Sequence, residues 1–162
     1  MIEKKNFYIN GKWVSPSKPN NFEVIDPSTE EPFAIISLGS IEDTDKAISA
    51  AKNAFETWRE TSKEKRLSLL EKFDQIYNRR WDEMVKAQST EMGAPLDYAS
   101  ETHTKMGADI SKNTIKILKD FNFEHQFDPK SNNHIRYEPI GVCGLITPWN
   151  FPMNQIVLKV IP

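Results

Sequence analysis

Cysteine occurs once in these 162 residues, glycine only six times, and neither sign of charge prevails: 21 Lys and Arg stand against 23 Asp and Glu, a formal net charge of −2. A lone Cys143 excludes an internal disulfide. The balanced charge supplies no overall basic field, and no basic run exceeds Arg79-Arg80, so neither nucleic acid nor an anionic membrane is an expected partner. No apolar run approaches the roughly 18 residues of a membrane span. The greasiest stretch, Gly141 to Trp149, is cut off by Asn150. The opening Met1-Ile2-Glu3-Lys4-Lys5 lacks the apolar core of a signal peptide, so a soluble, cytoplasmic protein is expected. The glycines never fall into GxGxxG or a P-loop, so no phosphate-cradling loop can be read. What remains is 38% hydrophobic and 27% charged, an ordinary globular composition that excludes collagen-like and grossly disordered chains. The chain stops at Ile161-Pro162 straight after its most apolar quarter, and a fragment of a longer protein is expected.

The first part of the chain reads as β structure. Phe7-Tyr8-Ile9 and Lys12-Trp13-Val14 flank Asn10-Gly11, the dipeptide suited to the two positive φ values of a type I′ hairpin. Phe22–Ile25 and Phe33–Ile36 read as strands around the turn Asp26-Pro27-Ser28-Thr29-Glu30. From Asp43 the period becomes helical, with Ala47, Ala50, Ala51, Ala54, Phe55 and Trp58 on one face. Thr61 and Glu64 predict a capping box for a second helix with Leu67, Leu70, Phe73, Ile76 and Tyr77 inward. A third helix, from Trp81 to about Met92, should bury Met84, Val85 and Ala87 and stop at Gly93. A fourth, from about Asp97 toward Leu118, aligns Met106, Ile110, Ile117 and Phe121. Phe121 to Tyr137 suggests two extended arms around a long polar turn. Gly141 to Thr147 has the composition of a strand buried on both faces, and Met153 to Ile161 has helical character. Strand, tight loop and helix form the unit of a doubly wound α/β domain, whose ligands bind at the strand's carboxyl end.

Few residues suggest chemistry by themselves. His103, His125 and His134 lie in segments of different type at no metal-ligand spacing, and surface polar residues are the expectation. Cys143 sits mid-strand among apolar neighbours, which predicts a buried, inert thiol. Glu91, Asp97 and Glu101 near the Gly93 break read as helix-end charges before they read as an acid/base pair. The two prolines around Trp149-Asn150-Phe151 deny the chain regular hydrogen bonding, which marks Asn150 either as a rigidly held functional amide or as a simple turn or cap.

Pro139 to Pro152 reads PIGVCGLITPWNFP, and this resembles the first signature of the NAD(P)-dependent aldehyde dehydrogenase superfamily. Ile9-Asn10-Gly11-Lys12-Trp13, Ile25-Asp26-Pro27-Ser28-Thr29, the Ala47–Trp58 helix and Glu91-Met92-Gly93-Ala94-Pro95 match the family's N-terminal part in order. The resemblance implies an α/β fold in which residues 1–120 begin a Rossmann-like coenzyme-binding domain. Residues 121–139 would then be β-arms for oligomerisation, and 140–162 would return to the coenzyme-binding domain. It implies NAD or NADP as cofactor, an aldehyde as substrate, and a homo-oligomer (dimer or tetramer) joined through the arms.

The implied reaction runs through a cysteine thiolate, hydride transfer from the hemithioacetal and hydrolysis of the thioester. Asn150 matches the asparagine that donates to the oxyanion, and Ile146, Thr147, Pro148 and Trp149 match the loop lining the nicotinamide-ribose end of the cofactor. Lys159 matches a lysine tied to proton movement, although a lysine snorkelling from an amphipathic helix fits equally well. Val24, Ile25 and Glu91 match positions that hold a monovalent cation in some members, but carbonyl ligands leave no trace in a sequence and no metal is assigned. The nucleophile, the base and the catalytic domain have no counterpart here, and Cys143 does not match the nucleophile. A truncated, non-catalytic member that pairs through its arms is the alternative reading.

Overall fold

The computed structural model describes all 162 residues, as three small β units and a helical layer. Strands β1 (Ile2–Lys4), β4 (Asn21–Asp26) and β5 (Glu31–Ser37) form a sheet of order β1-β5-β4. β1 is parallel and β4 antiparallel to the central β5. Between them, β2 (Phe7–Ile9) and β3 (Lys12–Val14) form the expected hairpin. Asn10 and Gly11 adopt φ of 52° and 73°, the two positive values a type I′ turn requires, and Tyr8 and Trp13 face one another edge to face at 5.2 Å.

Helix α1 (Ile41–Trp58) starts in a capping box that the sequence reading missed. Ser40 accepts from the Asp43 backbone N–H at 3.3 Å, and the Asp43 carboxylate accepts from Ser40 N–H at 3.0 Å and from Ser17 N–H at 2.8 Å. These bonds to the charged form hold the Asp43 carboxyl well below the usual carboxylate range, and they tie the connector after β3 to the helix start. The alanine stripe of α1 is not covered: Ala47, Ala51, Ala54 and Trp58 are exposed.

Helix α2 (Lys63–Arg79) is capped one residue later than expected, because Ser62, not Thr61, accepts from the third backbone N–H, that of Lys65. Its inward face is the one the period predicts, ending in the buried Tyr77. In α3 (Trp81–Met92) Gln88, not Ala87, points inward, since its amide reaches the Thr104 hydroxyl at 2.8 Å. Gly93 ends α3 at φ 74°, and a Cβ there would stand 2.9 Å from Pro27 Cγ, so both backbone and packing demand glycine.

The expected fourth helix is three pieces: α4 (Leu96–Tyr98), a π-helical turn Ala99–Thr104, and α5 (Lys105–Asp120). Its buried face is Ala99, His103, Thr104, Gly107, Ala108 and Ser111, small residues but for His103, while Met106 and Ile117 are exposed. Small residues win the inward positions because α2 and α6 (Pro152–Val160) press close on α5, where longer side chains would not fit. The core so formed holds Tyr77, Ala108, Val157 and Ile161, flanked by Leu70, Phe73, Trp81, Met84, Ile110 and Met153.

Strands β6 (Glu124–Gln126) and β7 (His134–Arg136) pair antiparallel around a polar loop, the expected pair of arms. Gly141 to Thr147 forms no strand. Its composition suits burial on both faces, but no edge of the three sheets pairs with it, and its side chains stay out: Leu145 is 48% and Ile146 89% exposed. Cys143 is therefore exposed and not buried as predicted. No helix is long and apolar enough to cross a membrane.

Candidate active site at the start of helix α6

The segment singled out by its prolines meets the helical layer at one point. Pro152 opens α6, where its missing N–H costs nothing, and Phe151 turns the chain into the helix at φ −144° and ψ 68° with no side-chain cap. Ile146, Thr147, Pro148, Trp149 and Asn150 precede it as a continuous exposed run, Trp149 at 78%. The structure thus brings five of the six predicted site residues into one stretch. Lys159 stands apart, in the last turn of α6 and about 10 Å along its axis from Pro152 by helix rise. It is half-buried and donates to Gln155 Oε1 at 2.7 Å, one turn back on the same face.

Beneath this stretch lies a residue that the sequence reading placed on the surface. His103 is 1% exposed, because the π turn carries it into the layer between the rings of Tyr98 and Phe151, at centroid distances of 4.9 and 4.6 Å. Burial holds its imidazole pKa below the ordinary histidine value, and its Nδ1 finds no partner. The only sequence signal for this placement was the spacing of Ala99, His103, Gly107 and Ser111, a residue every four along a face otherwise made of small side chains.

The π turn is pinned from below. Tyr77 Oη donates to the Thr104 carbonyl at 2.9 Å, Gln88 Nε2 to Thr104 Oγ1 at 2.8 Å, and Trp81 Nε1 to Ser100 Oγ at 3.0 Å. Burial pushes the Tyr77 hydroxyl up to about 12, so it stays a donor at any ordinary pH. The carboxyl of Glu91 on α3 is raised by desolvation, and α3 packs on β4, which carries Val24 and Ile25. No group of three or more His, Cys, Asp and Glu is arranged to hold a metal.

Residues 13–162 match the model of the aldehyde dehydrogenase family. The chain belongs to that family. It is 43% identical, over its whole length, to a 3-succinoylsemialdehyde-pyridine dehydrogenase from a Pseudomonas species, of which it covers 34%. Its structure is similar to the crystal structure of an aldehyde dehydrogenase from Bartonella henselae, with a TM-score of 0.97 and 51% identity over 99% of this chain and 34% of that one. It also resembles aldehyde dehydrogenase C from Pseudomonas syringae, solved as a cysteine-to-alanine variant with NAD+ and octanal. There the TM-score is 0.93 at 36% identity, over 97% of this chain and 32% of the other. This family member thus spans about a third of the length of the relatives it matches. Its α/β architecture is that of the corresponding part of aldehyde dehydrogenases.

Proposed function

We propose that this chain is the N-terminal part of an NAD(P)-dependent aldehyde dehydrogenase, and that its share of the work is to present the Asn150 amide and one wall of the cofactor site. The observation that carries the reading is the exposed run Ile146–Asn150, unpaired along its backbone and joined through Phe151 to the π turn, in a chain matched over its whole length by dehydrogenases about three times longer. In this reading residues 1–120 and 140–162 belong to the coenzyme-binding domain, residues 121–139 are the arms that join subunits, and the nucleophilic cysteine and the base lie in the remaining length.

The residues present fit the nicotinamide end of the dinucleotide. Ile146, Pro148 and Trp149 offer an uncharged, exposed apolar face with Thr147 among them, and no carboxylate interrupts the run. They do not provide for the diphosphate, since no glycine-rich loop exists in the chain. When bound, NAD(P)+ supplies the acceptor for the aldehyde's hydride.

Asn150 then acts on the substrate oxygen. As a thiolate adds to the aldehyde carbon, negative charge grows on oxygen, and a neutral N–H donor held in place lowers the barrier by about 2.7 to 4 kcal/mol. A carboxylate at this position would repel that charge. Lys159, with its ammonium already bonded to Gln155, is placed to hold or pass a proton along the α6 face.

The test is a steady-state assay of the full-length protein with NAD+ or NADP+ and a panel of aldehydes, beside the Asn150→Ala variant and the 162-residue chain alone. The reading predicts NAD(P)H production by the full-length protein, a roughly 10²- to 10³-fold lower kcat in Asn150→Ala, and none from the isolated chain. Turnover by the isolated chain, or an unimpaired Asn150→Ala variant, would refute it.

A further inference from the structure

Building on the proposed role of Asn150, we propose that His103 is a positioning residue for it: the imidazole, wedged between Tyr98 and Phe151, fixes the side chain next to Asn150 and through it the direction of the amide. The inference starts from an oddity. A histidine at 1% exposure with an unpartnered Nδ1 forfeits a hydrogen bond in the protein interior. Its companions on that inward line are all smaller: Ala99, Thr104, Gly107, Ala108 and Ser111.

What His103 does touch is the turn into α6. Its ring lies 4.6 Å from that of Phe151, and Phe151 is the junction residue, with non-helical dihedrals and no side-chain cap to hold it. The backbone carbonyl of Phe151 accepts from Gln155 N–H at 2.9 Å, which anchors the side of the turn facing the helix. On the other side the chain leaves as the exposed run from Asn150 back to Ile146. The ring contact with His103 holds Phe151 itself against the layer, while Met153 and Val157 seat the helix that follows.

The platform under His103 is stiff. Donors from α2 and α3, namely Tyr77, Trp81 and Gln88, bond to Thr104 and Ser100 on either side of His103 in the π turn. Tyr98 meets the imidazole edge to face at 4.9 Å. Position therefore passes from α2 and α3 through the π turn to His103, then to Phe151, and so to Asn150. An oxyanion donor needs such a chain, because a misplacement of about 1 Å can cost about 100-fold in rate.

The imidazole serves here as a ring. Its Nδ1 is unbonded, and its role here is that of an aromatic slab and not of a proton carrier. Phenylalanine should replace it and alanine should not.

The experiment uses the full-length protein and four variants: His103→Ala, His103→Phe, Asn150→Ala and the double variant His103→Ala/Asn150→Ala. Measured for each are kcat, the KM for aldehyde and for cofactor, and the thermal midpoint. We expect His103→Ala to lower kcat by about 10- to 100-fold with the cofactor KM little changed, and His103→Phe to keep kcat within about threefold of wild type. In the Asn150→Ala background His103→Ala should then lower kcat no further, because the group it positions is gone.

A His103→Ala loss that persists in full in the Asn150→Ala background would overturn the proposal, since His103 would then act by some other route. So would a His103→Phe protein that folds but has lost activity. Should His103→Ala fail to fold, His103→Phe still decides through kcat. An Asn150→Ala protein with unimpaired kcat is a separate result, which removes the oxyanion reading itself.

Discussion

Gly107 offers the sharpest test of how this layer is packed. It lies on the buried face of α5, where an added Cβ would collide with Tyr77 Oη and stand 3.0 Å from Tyr77 Cζ and 3.4 Å from Val157 Cγ2. Tyr77 has nowhere to go. It is 3% exposed, its ring is flanked by Phe73 at 5.6 Å and Trp81 at 6.4 Å, and its hydroxyl holds the Thr104 carbonyl. Gly107→Ala must therefore push the tyrosine off its acceptor or push α5 away from α2 and α6.

Three magnitudes bear on the outcome. Alanine gains about 1 kcal/mol over glycine in a helix interior. Overpacking a tight core costs about 1 to 3 kcal/mol. Losing a buried hydrogen bond and stranding its partner costs about another 1 to 3 kcal/mol. The balance is a destabilisation of about 3 kcal/mol, opposite in sign to what helix propensity alone predicts. Denaturant unfolding of the chain, followed by the fluorescence of Trp81 and its neighbours, measures it. Tyr77→Phe is the control: with the hydroxyl removed, the same Gly107→Ala change should cost at least about 1 kcal/mol less, a coupling expected only of groups in contact. A Gly107→Ala chain as stable as the parent, or more so, would refute this account of the α2–α5–α6 junction.

Other expectations follow from the same contacts. His103 binds a proton less readily when folded than when unfolded, so its contribution to stability is whole above about pH 6.5 and is lost as the pH falls below that value; His103→Phe should flatten this part of the pH–stability curve. Asp43 has the opposite charge type and its pKa is lowered, so its contribution is whole above about pH 3.8 and is lost progressively as the pH falls below that value; Asp43→Asn should lower the thermal midpoint more at pH 7 than at pH 2. Cys143, exposed on an unpaired segment, should react with a maleimide as fast in buffer as in urea, and Cys143→Ala should leave stability within about 0.5 kcal/mol.

Local signals carried much of the fold. Asn10-Gly11 dictated a hairpin because only residues that tolerate positive φ can make that turn, and Gly93 dictated a helix end for the same reason. The apolar period of α2 placed its face correctly because large side chains leave a strong 3.6-residue signal. The face of α5 misled for the complementary reason. Where two helices crowd a third, the inward residues are Gly, Ala and Ser, which a search for apolar bulk passes over. The parallel pairing of Ile2–Lys4 with Ala34–Ile36 was invisible, since its residues are polar or exposed and their partner lies some thirty positions away. The site shows the same division. The candidate loop was legible, because two prolines and a family-like motif punctuate it, but His103 was marked only by the four-residue spacing of Ala99, His103, Gly107 and Ser111, which a search for apolar bulk passes over.

The Gly141–Thr147 segment shows where composition stops determining structure. Its residues suit burial on both faces, yet an extended chain becomes a strand only when another backbone edge accepts and donates its hydrogen bonds, and no edge within these residues does. The apolar stripe of α1 lies uncovered by the same logic, and only 16 of the 162 residues are buried. The proposed site has one well-bonded support: α2 and α3 bond to the π turn, the π turn carries His103, and His103 meets Phe151 at the start of α6. In the proposed role a donor amide gains from being held in place, because its advantage in the transition state is that no reorganisation remains to be done. On the role proposed for Asn150, the contribution of the helical layer is position, carried to the turn into α6 by the contact of His103 with Phe151.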